Sequence, residues 1–95
     1  MSDSRPEDRA DFSELAGHGG EVQQAVGAVG AVVAWYSGQL VAESRQPEPD
    51  LSRLEDLKDA RRRAAADLER ARDADPQEAA GIVAFYAGLL QKLTG

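Results

Sequence analysis

The chain has 95 residues, a formal net charge of −6, no cysteine and one histidine. A length of this order bounds it to one small domain, and the missing cysteines exclude a disulfide framework, a thiolate metal site and a cysteine nucleophile. The acidic balance argues against a nucleic-acid partner, because phosphate-backbone binding needs a positive field.

Residues 1–20 read as a flexible acidic arm. The opening MSDSRPEDRADF lacks the basic region and apolar run of a secretory signal, and the expected location is cytoplasmic. Ser4 can cap a short helix with Pro6 in its first turn, and Phe12, Leu15 and Ala16 would form its apolar face. Gly17 would end that helix, His18 would sit in an exposed loop, and Gly19-Gly20 would separate the arm from a helical domain over residues 21–95.

The first long helix is predicted over about residues 21–44. Val22, Val26, Val29, Val33, Tyr36 and Leu40 alternate spacings of four and three, which sets them on one seam. A second row of Ala28, Val32 and Trp35 lies beside it, and the small residues Gly30, Ala34 and Gly38 form a third. Gly27 and Gly30 each cost the helix roughly 1 kcal/mol relative to alanine, which points to a neighbour packed tightly against it. No charge falls between Glu21 and Glu43, a stretch long enough to span a bilayer. Gln23, Gln24, Ser37 and Gln39 interrupt it and no Lys/Arg cluster flanks it, so a buried helix rather than a membrane span is expected.

Arg45 to Asp50, RQPEPD, is a turn, since Pro47 and Pro49 cannot continue a helix. Asp50 is the expected cap of the second helix, with Ser52 and Glu55 as an alternative capping box. That helix, about residues 51–74, carries a narrow apolar stripe of Leu54, Leu57, Ala64, Leu68 and Ala71. Arg61 interrupts the stripe and is expected to snorkel past its neighbours. The basic run Arg61-Arg62-Arg63, with Arg70 and Arg72, is interleaved with acids, so it reads as a salt-bridged, solvated face. Asp59 is placed for Arg63, and Arg63 for Asp67, at i,i+4.

Asp75-Pro76-Gln77-Glu78 starts the third helix, about residues 76–93: Asp caps, Pro takes the first helical position and Glu the third. Its seam is Ala79, Val83, Tyr86, Leu90 and Leu93, with Ile82, Phe85 and Leu89 as a second row. The segment AGIVAFYAGLL at Ala80–Leu90 repeats GAVVAWYSGQL at Gly30–Leu40 position by position. Trp35 and Tyr36 answer to Phe85 and Tyr86, and Gly30, Ala34 and Gly38 answer to Ala80, Ala84 and Gly88.

These readings define an all-α fold, a three-helix bundle or helical hairpin whose first and third helices are a pseudo-repeated pair. The second helix is too narrow to cover both second rows, so completion by oligomerisation is expected. No helical Glu-x-x-His metal pattern and no phosphate loop with its lysine are present, so neither metal nor cofactor is expected. With no arranged acid–base pair, the chain is not expected to be an enzyme. The expected function is protein–protein interaction, as an adaptor, regulator or assembly subunit, with a homodimer or another protein as partner. Its interface would comprise Gly30, Val32, Ala34, Trp35 and Gly38 on the first helix with Ile82, Ala84, Phe85, Gly88 and Leu89 on the third. The alternative is a small-molecule pocket walled by Trp35, Tyr36, Phe85 and Tyr86.

Overall fold

The structure, a computed structural model, describes the backbone of residues 4–95 and the side chains of residues 20–95. It is all-helical: α1 (Ser4–Ser44), α2 (Leu51–Arg72) and α3 (Pro76–Thr94) follow one another, with no strand among the described residues. The helix expected to begin near Glu21 is continuous with the backbone before it, unbroken at Gly17 and at Gly19-Gly20. A glycine weakens a helix but keeps its backbone N–H, so it does not cut the hydrogen-bond ladder as proline does. The apolar face expected of Phe12, Leu15 and Ala16, and the exposure of His18, concern side chains outside the described residues.

The two turns are built by local side-chain chemistry. At the end of α1, Ser44 Oγ donates to the Leu40 carbonyl at 2.8 Å, and Pro47 and Pro49 bar continuation. Asp50 then caps α2, its carboxylate accepting from the Arg53 backbone N–H at 3.1 Å. Glu43 locks this turn from the other side. Its Oε2 accepts from the Asp50 backbone N–H at 2.9 Å, and its Oε1 lies 3.4 Å from Arg53 Nε. After α2, hydrogen bonds between residues three apart, from Asp73 N to Arg70 O at 3.2 Å and from Ala74 N to Ala71 O at 3.3 Å, lead into the second turn. Asp75 caps α3, accepting from Glu78 N at 2.8 Å, with Pro76 at the helix start.

The two reversals make α2 antiparallel to both neighbours. Helix α1 is the spine: α2 and α3 each pack closely along it, whereas α2 and α3 barely touch each other. The core joins Ala25, Val29 and Val32 of α1, Ala64 and Ala71 of α2, Ala74 of the turn, and Ala79, Ile82 and Tyr86 of α3. Val22, Val26, Val33, Tyr36 and Leu68 pack around it.

Two sequence expectations change here. The second-row residues Val32 and Ile82 lie within the chain's own core, because α1 and α3 cover each other where α2 does not reach. The small residues inside the core are Ala25, Ala64, Ala71 and Ala79, and none of the glycines is among them. A Cβ built on Gly27, Gly30, Gly38 or Gly88 meets nothing within 4 Å, so no neighbour in the chain presses on them.

Candidate functional site

Two surfaces concentrate the residues singled out by the sequence. The first is the outer face of α1. Gly27, Ala31, Ala34, Gly38, Val41 and Ala42 are exposed there, and no charged residue stands between Glu21 and Glu43. On α3, Ala80, Ala84 and Gly88 are exposed in the same small-residue spacing. Of the ten residues expected at an interface, Ala34, Gly38, Ala84, Phe85 and Gly88 are exposed, while Gly30, Trp35 and Leu89 are half-buried. Phe85 is 64% exposed. The segment Gly20–Ser44 is long and apolar enough, by length and composition, to cross a membrane.

The second surface is the groove left open where α2 and α3 diverge over α1. One cavity of about 360 Å³ is lined by Tyr36, Arg63, Asp67, Phe85, Tyr86 and Leu89. An adjoining cavity of about 530 Å³ takes Trp35, Asp56, Leu57 and Leu93 and shares Tyr36 and Arg63 with the first. The four aromatic residues expected to form a pocket are therefore distributed along one groove, with Tyr36 common to both parts. They stand in matching pairs. Trp35 and Tyr36 meet edge to face with centroids 5.5 Å apart at 77°, and Phe85 and Tyr86 do so at 5.1 Å and 79°.

The polar chemistry of the groove centres on Asp67, which sequence reasoning assigned only to an ion pair with Arg63. Tyr86 donates its hydroxyl hydrogen to Asp67 Oδ2 across the groove, and Arg70 Nη2 holds Oδ1 at 2.9 Å. Burial pushes the Tyr86 phenol well above its ordinary pKa, helped by the hydrogen bond to Asp67 and that carboxylate's charge, and opposed by Arg70. Asp59 pairs with Arg62 at 2.7 Å and Glu69 with Arg72 at 2.6 Å. The ion pairs on α2 thus run i,i+3, and the expected i,i+4 pairs through Arg63 do not form, since both of its acids are already held. Arg61 is half-buried and donates from Nη1 to Ser37 Oγ at 3.4 Å, so it ends on a hydroxyl instead of reaching only solvent.

Among the described residues, no group of three or more His, Cys, Asp or Glu side chains is gathered to hold a metal ion. No protein-family model, curated protein or solved structure matches the chain.

Proposed function

We propose that this chain is a non-enzymatic helical interaction module, an adaptor, regulator or assembly subunit, that works as a cytoplasmic homodimer. The contact face is the outer side of α1 around Gly30, Ala34 and Gly38, with the related face of α3 around Ala84, Phe85 and Gly88. One observation carries the reading. Glycines in the middle of α1 cost about 1 kcal/mol each in helix propensity, yet beyond the adjoining backbone of α1 no described atom lies within 4 Å of where their Cβ atoms would stand. A second helix laid against that face would use the space, because small residues at a spacing of four let helix backbones come close. A thin core supports the same conclusion, since the largest fully buried side chains are the valines Val29 and Val32.

The pseudo-repeat gives the module its two related faces. The edge-to-face aromatic pairs and the burial of both Val32 and Ile82 support treating α1 and α3 as copies of one packing unit. The α2 helix, which runs along α1 with charges on most of its surface, favours a soluble protein over a membrane-spanning one.

The test is absolute mass by light scattering behind a sizing column at two concentrations, for the wild type, Gly38→Ala and Gly38→Leu. The wild type should be dimeric. Gly38→Ala should loosen the dimer at the lower concentration, and Gly38→Leu should stay folded but run as a monomer. A wild type that is monomeric at both concentrations, or a Gly38→Leu variant that still dimerises, would sink the reading.

A further inference from the structure

We propose that the groove between α2 and α3 is a binding site for a small planar anion, an aromatic carboxylate or sulfonate, with Arg63 supplying the counter-charge. The argument begins with a displaced arginine. Sequence spacing offers Arg63 two carboxylates, one turn before and one turn after it on α2. The fold gives Asp59 to Arg62 and Asp67 to Arg70 and Tyr86. Arg63 makes no ion pair among the described residues and instead lines both parts of the groove. A guanidinium lining a groove together with aromatic side chains is suited to a flat, delocalised anion, which it can meet through parallel N–H donors.

The remaining walls fit that ligand. Tyr36 forms the floor, and Phe85, Tyr86 and Leu89 come from α3. Tyr86 is held in place by its hydrogen bond to Asp67 and by its edge-to-face contact with Phe85, so the aromatic surface is set before a ligand arrives. Both Asp67 oxygens are engaged and its charge is balanced by Arg70, which removes the nearest source of repulsion. The volume of about 360 Å³ falls in the range of small-molecule pockets.

The neighbouring cavities carry charges of both signs, Asp50 and Asp56 with Arg53 in the wider one and Glu78 with Arg70 beyond Phe85 and Tyr86, so a partner helix lying along the groove would meet no continuous apolar strip.

The experiment is a titration with 1-anilinonaphthalene-8-sulfonate and, in parallel, with the uncharged N-phenyl-1-naphthylamine, following dye emission and Trp35 emission together. The sulfonate should bind saturably and quench Trp35, whose ring lines the adjoining cavity. Arg63→Gln should weaken sulfonate binding by about five- to tenfold while leaving the neutral dye unchanged. Arg72→Gln removes the same charge from α2 outside this cavity and releases only Glu69, six positions from Arg63, so it should change binding less than twofold. Because Arg63 is exposed and makes no ion pair among the described residues, its variant should keep the wild-type circular dichroism and melting curve. No saturable sulfonate binding, equal losses in the two arginine variants, or an equal loss for the neutral dye would each overturn the proposal. Phe85 lines both the groove and the proposed contact face, so the loss caused by Arg63→Gln should also be read in the monomeric Gly38→Leu background, where it should be the same.

Discussion

The Tyr86 hydroxyl is the polar tie between two helices that otherwise scarcely meet, and burial with the hydrogen bond to Asp67 holds its proton beyond the ordinary phenol range. Its folded pKa is raised above the ordinary phenol value of 10.0. A raised value means that the folded state keeps its proton while the unfolded chain loses it. The stabilisation is therefore complete below about pH 10 and is lost as the pH climbs towards the folded value. Replacing Tyr86 by Phe should cost about 1 kcal/mol at neutral pH, the worth of one partly exposed hydrogen bond to a charged acceptor. It should also flatten the fall in melting temperature above pH 10. In a Tyr36→Phe background, tyrosinate absorbance should rise only as the helical signal disappears. Reversible titration near pH 10 in a chain that stays folded would contradict this account.

Among the elements, the start of α3 was the most readable, because a cap is a local bond between a side chain and a backbone N–H three residues away. Asp75 makes that bond to Glu78. Asp75→Ala should cost about 1 kcal/mol in chemical denaturation, and hydrogen exchange should speed up most in the first turn of α3. The apolar stripe of α2 was readable for a related reason: charges on every other side leave one inward face, and Leu57, Ala64 and Ala71 are buried there. Helix α1 offers no such contrast between its faces. It is apolar around most of its circumference, so periodicity cannot say which row faces inward. The structure centres the seam on Ala25, Val29 and Val32 and turns the glycine row outward. Glu43 was missed because its role is non-local in appearance, yet the signal existed: a turn with two prolines leaves the Asp50 N–H needing an acceptor. Along the groove, the four aromatic residues were legible as a set, but the part of Arg63 was not. Spacing offers i,i+3 and i,i+4 partners alike, and only the side-chain geometry shows that i,i+3 pairs took both acids.

For the molecule as a whole, the balance between its core and its surface decides whether one chain suffices. The interior is made largely of alanine and valine, while Phe85 and Val41 remain 64% and 49% exposed. Small side chains bring the helices close but bury little apolar area each, and a domain of this size has little stability to spare. A partner surface that covers the outer face of α1 would add burial without any change in the fold. If that partner is a second copy, unfolding and dissociation are one process, and stability depends on protein concentration. A tenfold increase in concentration then adds about 1.4 kcal/mol per dimer, which raises the melting temperature by roughly 3–6 °C for an assembly of this size. Melts from micromolar to hundreds of micromolar should therefore climb steadily for the wild type and lie on one another for Gly38→Leu. Superimposed wild-type melts across that range would mean that the thin core alone sustains the fold. The open face of α1 would then have to be explained by something other than a second copy.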